Sequence, residues 1–348
     1  MNNNKTSLEN ESQPSCLGAV MGSTVFNLIV HDDWMNNQLP DKSVQLIIAD
    51  PPYFEVKGDF DFVWKSFEDY LIDVEKWAIE CKRLLADNGT LFWYGDRKNI
   101  AYAQVILDKY LNFENHIFWQ KAEKCQMEMF DTLRSFYCRG YERILMYSTK
   151  EDVLNLTECI FLIRDYVRSE IFKAKGKIVF KQVNDALGTA TNGGGVASSC
   201  LSLDKTEPTM ITKEMYIRLQ NWCSPFMDKS YQELRIEYEF LRAELENKRR
   251  PFNNFLKLSD HWKFTNDGTV KDLDHPTVKP EGMTRAIVLT CSRPNDLVFI
   301  PFAGSGTEVA MAIKEGRNAI GFDIEEKYVE MGNKRIDIIK AQPSLFAV

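Results

Sequence analysis

The chain has 348 residues, 44% of them hydrophobic and 27% charged, an ordinary globular balance that excludes wholesale disorder and fibrous repeats. Fifty acidic against 43 basic residues leave a formal charge of −7, which excludes a histone-like basic coat but leaves room for a local phosphate-binding patch. No apolar run approaches the roughly 18 residues of a membrane span, and the polar start MNNNKTSLENESQPS holds no signal-peptide core, so a soluble intracellular protein is expected.

Residues 1–20 read as a disordered tail. Over 21–150, short β-rich apolar runs alternate with helical patterns: strands at 25–30, 44–49, 90–94, 116–119 and 143–147, helices at 67–86 and 98–110. The alternation returns over 275–348, with helices at 281–292, 306–316 and 325–340 and strands at 297–301 and 318–322. Strands and helices in this order imply a mostly parallel sheet covered on both faces.

Residues 151–274 break the pattern. A helix over 178–187 stops at Gly188, the usual left-handed cap residue, and the tract TNGGG follows at 191–195. Tyr231, Leu234, Tyr238, Leu241 and Leu245 step by three and four, a stripe that fits a core-facing helix or a short dimer seam. Two basic patches fall here. Arg164, Arg168, Lys173, Lys175, Lys177 and Lys181 stand against Asp165 and Glu170, and Arg242, Lys248, Arg249, Arg250, Lys257 and Lys263 against three acids. An insertion with its own small fold is expected, interrupting an α/β domain whose two halves meet in space. The eight cysteines (Cys16, Cys81, Cys125, Cys138, Cys159, Cys200, Cys223, Cys291) form no CxxC pair and the four histidines are scattered. Neither a metal site nor a disulfide framework is suggested, and buried reduced thiols are expected.

Three motifs carry chemistry. In LIIADPPYF (46–54) a buried strand delivers Asp50 at its carboxyl end, where open α/β sheets place their ligands. Pro51 and Pro52 stiffen the backbone, and Tyr53 and Phe54 offer flat apolar faces. A carboxylate, a fixed carbonyl and an aromatic plane suit the amino edge of a flat heterocycle. In DLVFIPFAGSGT (296–307) a strand enters a glycine loop that opens a helix, and a second strand ends at Asp323, placed to accept from ribose hydroxyls. A dinucleotide fingerprint needs a third glycine where Val309 stands, and no GxxxxGK[ST] sequence occurs, so a nucleoside-bearing cofactor without a pyrophosphate fits better. In HPTVKP (275–280), Thr277 and Lys279 are candidates to hold a carboxylate.

Together these segments resemble the S-adenosylmethionine-dependent amino-methyltransferases of DNA bases. Asp50-Pro51-Pro52-Tyr53 matches that family's catalytic D/N/S-P-P-Y/F/W tetrapeptide, and Phe302-Ala303-Gly304-Ser305-Gly306 its cofactor-binding F-x-G-x-G. The order, tetrapeptide first and glycine loop last, resembles the permuted β group, as does HPTVKP. The resemblance implies a Rossmann-like α/β fold with a seven-stranded, mostly parallel sheet, helices on both faces, and a mainly helical target-recognition insertion. The family's topology implies the strand order 25–30, 318–322, 297–301, 44–49, 90–94, 143–147, 116–119, with only the last hairpin edge antiparallel. It further implies S-adenosyl-L-methionine as cofactor, held by Asp50, Thr277, Lys279, Phe302 to Thr307, Asp323 and either Asp32 or Asp33, with no metal.

Asp at the first tetrapeptide position usually accompanies adenine in this family, so adenine-N6 methylation of double-stranded DNA is expected. N4-cytosine, adenine in RNA and a catalytically inactive binding relative are the alternatives. An adenine in a duplex hides its amino group and must be flipped into the pocket, there to stack on Tyr53 and Phe54. DNA phosphates are expected at Lys173, Lys175, Lys177, Lys181, Lys248, Arg249 and Arg250, with 178–187, Gly188 and TNGGGVASS as a helix-turn-helix-like reader. A homodimer and a cognate restriction endonuclease are candidate partners, and the expected setting is the cytoplasm or nucleoid of a prokaryote or phage-infected cell.

Overall fold

The computed structural model describes residues 27–56, 61–121, 141–149, 158–189, 195–205, 208–265 and 278–341. The chain divides into two units, residues 1–151 with 250–348, and residues 152–249. The first holds β1 (Leu28–His31), β2 (Val44–Ala49), α1 (Phe67–Leu84), β3 (Leu85–Gly95), α2 (Ile100–Leu107), β4 (Asn112–Gln120) and β5 (Tyr141–Ser148). The second is helical: α3 (Glu158–Lys175), α4 (Phe180–Leu187), α5 (Gly195–Leu201), α6 (Lys213–Trp222) and α7 (Tyr231–Lys248). The first unit resumes with β6 (His261–Lys263), α8 (Glu281–Cys291), β7 (Leu297–Ile300), α9 (Thr307–Lys314), β8 (Asn318–Asp323) and α10 (Glu326–Ala341).

Side chains alternate across the strands, and the sheet sorts them into two cores. Ile47 and Ala49 of β2, Leu91 and Trp93 of β3, Leu145 and Tyr147 of β5 and Phe299 of β7 share one face with Tyr70, Val74 and Ala78 of α1 and Ile100 and Ala103 of α2. Leu46, Ile48, Phe92, Tyr94, Ile144, Met146, Val298 and Ile300 point the other way, onto Met283 and Ile287 of α8, Val309 of α9 and Ile336 of α10. With both faces dry, β2 is apolar at nearly every position, VQLIIA.

The sheet order is β1-β8-β7-β2-β3-β5-β4-β6, the order the resemblance implies with an eighth strand added. That strand, β6, pairs parallel with β4 through Phe118–His261 and Trp119–Trp262. It has three residues, of which only Trp262 is buried, too short for a period-two pattern to be read. The antiparallel strand is β5, which runs against both β3 and β4 and so lies inside the sheet, not at its edge. The insertion is also shorter than expected: residues 250–265, taken for part of it, belong to the sheet unit. Of the 25–30 strand, residues 25 and 26 lie outside the described residues.

In the helical unit α4 ends at Gly188, whose φ of 67° is left-handed. The buried side chain of Asn184 accepts from the amide of Ala197 (2.9 Å) and from the Thr189 hydroxyl (3.1 Å), which ties α4 to α5. The α7 stripe is core: Leu234, Tyr238 and Leu245 are buried, with Tyr231 and Leu241 packed beside them. It is therefore not a dimer seam. Among the described residues no helix is long and apolar enough to cross a membrane, and Cys81, Cys159, Cys200, Cys223 and Cys291 are buried. Two residues of α7 test this packing. Leu234 is 0% exposed and Phe240 73%, so Leu234→Ala should cost about 2–5 kcal/mol and Phe240→Ala about 0.5 kcal/mol or less. Urea unfolding followed by circular dichroism measures both, and equal losses would contradict the orientation of α7.

Candidate active site

Parallel pairing of β1 with β8, β8 with β7 and β7 with β2 sends all four carboxyl ends to one edge of the sheet. From β7 the chain turns one way to β8, and from β2 the other way to β3, so the crevice between β2 and β7 is a topological switch point. Asp50 leaves β2 there, the loop from Pro301 leaves β7 beside it, and Asp323 ends β8 next in line.

The glycine loop is shaped by its backbone. Gly304 and Gly306 have φ values of 47° and 73°, where side chains are strained. A Cβ on Gly306 would also come within 2.8 Å of Gly332 Cα and 2.9 Å of Ile29 Cδ1. The amide of Gly304 donates to Asp323 Oδ2 (2.7 Å), and Asp323 Oδ1 accepts from the amide of Glu325 (2.9 Å). Burial pushes the Asp323 carboxyl above its usual range, against those two amides. Ser305 and Thr307 share a hydroxyl–hydroxyl bond (3.1 Å), and Arg335 donates to Thr307 (2.9 Å). Ala303 is buried, and the Phe302 ring meets Trp34 and Trp77 edge-on. Asp32 follows β1 and donates its amide to the Asp323 carbonyl (3.2 Å), while its carboxylate accepts from the Asp33 amide and Asn36. Asp33 caps the short 3-10 turn Trp34–Asn36, so both carboxylates are engaged locally and neither is singled out.

Asp50 sits in a charged, half-buried cluster. Its Oδ1 accepts from the Tyr53 hydroxyl at 2.5 Å and its Oδ2 from the ammonium of Lys279. Lys279 is buried, lies 5.0 Å above the Tyr94 ring and stands 4.0 Å from Glu142 Oε2. Burial works against its charge, but Asp50 and Glu142 outweigh burial and hold it protonated above the usual lysine range. Burial, then Asp50, pushes the Tyr53 phenol well up. The Tyr53 amide donates to Asp61 (2.5 Å), which braces the tetrapeptide.

Lys279 is thus placed on Asp50, although the motif suggested a cofactor carboxylate, and Thr277 lies outside the described residues. Phe54 is core: it is 8% exposed, packs on Phe67 at 5.4 Å, and its carbonyl accepts from Asn99. Three residues with no motif of their own join the cluster. Glu142 is the second residue of β5, Tyr94 the last but one of β3, and Glu308 the second of α9. The Tyr94 hydroxyl and Glu142 Oε2 are buried with no hydrogen-bond partner among the described residues.

The donor set fits the cofactor implied by the resemblance. A carboxylate at Asp323 suits ribose hydroxyls, and the glycine rim admits a ligand close to the backbone. Glu308 in the first turn of α9 puts a carboxyl where a pyrophosphate would need donors. Asp50 and Glu142 around a single lysine favour a cationic ligand centre, which a sulfonium provides. Among the described residues no group of His, Cys, Asp and Glu gathers in a way that could hold a metal ion.

The basic residues of the helical unit are partly engaged. Arg164 pairs with Asp165, Arg168 donates to the Leu201 carbonyl, and Lys173 pairs with Glu170. Lys175 lies 4.7 Å over the Trp222 ring, and Lys177 and Lys181 are exposed. The 248–250 cluster is split: Lys248 pairs with Glu244 and Arg249 with Glu246, whereas Arg250 belongs to the sheet unit and pairs with Glu114 at 3.1 Å.

Burial pushes Glu308 from an ordinary 4.5 up to about 7, against the pull of Lys279. Between those values the unfolded chain is ionised and the folded protein is not. The contribution of Glu308 to stability is therefore present below pH 4.5 and lost as pH rises through 7. A shift of this size is worth roughly 3 kcal/mol. Glu308→Gln should flatten the pH dependence of the urea midpoint between pH 4.5 and 7; an unchanged profile would contradict this placement of Glu308.

Comparison with known proteins agrees with the geometry. The family described as DNA methylase, of N6/N4 type, matches residues 44–334. The DNA adenine methyltransferase YhdJ of Escherichia coli K12 is 26% identical over 319 residues, covering 89% of this chain and 82% of its own. The type II methyltransferase M1.MboII of Moraxella bovis is 26% identical over 309 residues, covering 85% and 90%. The crystal structure of TTHA0409 from Thermus thermophilus superposes with a TM-score of 0.50 at 18% identity, over 92% of this chain and 98% of that one, a likeness of fold. The chain belongs to the N6/N4 DNA methylase family, and it is a DNA methyltransferase dependent on S-adenosyl-L-methionine.

Proposed function

We propose that this chain is a site-specific adenine-N6 methyltransferase of double-stranded DNA. The observation that carries the reading is a carboxylate, Asp50, held at the carboxyl end of β2 between the Tyr53 hydroxyl and a buried lysine, next to the loop that leaves β7. Adenine is supported by Asp at the first tetrapeptide position, where N4-cytosine enzymes usually carry Ser, and by the name of the Escherichia coli relative.

S-Adenosyl-L-methionine supplies, when bound, a methyl group activated by a positive sulfur. Gly304 and Gly306 would give its nucleoside room, Asp323 would accept from its ribose, either Asp32 or Asp33 would help to hold it, and the acids around Lys279 would favour its charge. The Asp50 carboxylate and the Pro51 carbonyl accept the two N–H groups of the target amine. That holds the nitrogen nearer tetrahedral geometry and frees a lone pair otherwise delocalised into the ring. Tyr53 stacks on the extruded base; Phe54, buried under Phe67, supports the turn instead. The amine lone pair would take the methyl directly as the methyl–sulfur bond breaks, S-adenosyl-L-homocysteine leaving and the surplus N–H proton passing to solvent; the protein contributes position and electrostatics. Asp50→Ala should lower methyl transfer to DNA more than tenfold, which is about 1.4 kcal/mol or more of barrier. Calorimetry should still detect binding of the cofactor. Near-normal turnover would remove Asp50 from the mechanism.

For DNA binding, Lys173, Lys175, Lys177 and Lys181 surround the turn between α3 and α4, just ahead of the α4–α5 pair. We assign this turn to phosphates and the α4–α5 pair to groove reading. Neutralising Lys173, Lys175 and Lys177 together should flatten the salt dependence of DNA affinity by about one unit of slope for each phosphate no longer neutralised. Unchanged slope and affinity would remove the turn from the interface.

A further inference from the structure

We infer that Glu142 is a positioning residue for methyl transfer: it draws Lys279 off Asp50 as the target amine arrives. The inference rests on the reading of Asp50 as the acceptor of that amine. Both Asp50 oxygens are engaged, Oδ1 by Tyr53 and Oδ2 by the Lys279 ammonium. A lysine on Oδ2 competes with the amine for the carboxylate. It also opposes the positive charge that the nitrogen gains as the methyl arrives.

Glu142 is placed to relieve both effects. Its Oε1 accepts from Lys121, which fixes the carboxylate, while Oε2 is buried without a hydrogen bond among the described residues. Oε2 lies 4.0 Å from Lys279 Nζ, beyond hydrogen-bond reach. A movement of Nζ by about 1 Å closes that gap to an ordinary charged hydrogen bond of about 2.8 Å and lengthens the bond to Asp50. Lysine has three donors on a flexible stem, so the ammonium can swing between the acids without leaving them. The Tyr94 ring, 5.0 Å from Nζ, floors both positions. Glu308 acts on Lys279 through its field, but no ion pair or hydrogen bond joins the two. Glu142 is therefore the acceptor that geometry offers.

The test is a double-mutant cycle on the full chain, with DNA and S-adenosyl-L-methionine. Glu142→Gln should lower kcat at least fivefold while KM for DNA stays within about twofold. In a Lys279→Met background, Glu142→Gln should cause no further loss, because its effect runs through Lys279. An unchanged kcat in Glu142→Gln overturns the inference, and so does a loss that persists in the Lys279→Met background, which would make Glu142 a direct contact of the base. If Glu142→Gln loses cofactor affinity through misfolding, Glu142→Asp keeps the charge with a shorter reach, and the same non-additivity decides. An active Glu142→Gln beside an inactive Asp50→Ala removes this inference alone. An active Asp50→Ala removes the reading beneath it.

Discussion

The ion pair between Asp50 and Lys279 is the constraint on which the rest of the site depends. It joins residues 229 apart in sequence, one at the end of β2 and one just before α8. An isolated carboxylate or ammonium in so dry a setting would neutralise. Here Asp50 and Glu142 hold Lys279 charged, and removing one partner of such a pair typically costs about 3–5 kcal/mol. The pair therefore locks the two halves of the interrupted sheet together at the edge where chemistry is expected.

Around this pair the protein gathers carboxyl groups. Asp50, Glu142 and Glu308 face one lysine, and Asp323 stands at the neighbouring strand end with a carboxyl raised by burial. Such an arrangement repels phosphates and attracts a cation. It explains in physical terms why the glycine loop, similar in outline to dinucleotide loops, fits a sulfonium nucleoside. A carboxyl in the first turn of α9 occupies the helix end that a pyrophosphate would otherwise take.

Much of this was legible in the sequence because the elements that build the site carry strong local signals. The strand 44–49 is apolar enough to be read to the residue, and DPPYF and FAGSG are marked by proline and glycine whose backbone needs are specific. What stayed hidden depended on partners distant in sequence. Glu142 looks like a strand-end residue and Glu308 like a helix-start residue, and only the pairing of the strands brings them to Lys279. Phe54 looked available for stacking, yet Phe67 and Tyr70 on α1 cover it. Lys248 to Arg250 read as one patch, but the chain passes from one unit to the other within it. The three-residue β6 was below the length at which alternation can register.

The central claim is that the Asp50 cluster methylates the amino nitrogen of adenine in DNA. Mass spectrometry of nucleosides from unmethylated double-stranded DNA, after incubation with the protein and S-adenosyl-L-methionine, tests it most directly. The account predicts N6-methyladenine. N4-methylcytosine as the sole product, or no methylated base at all, would contradict it.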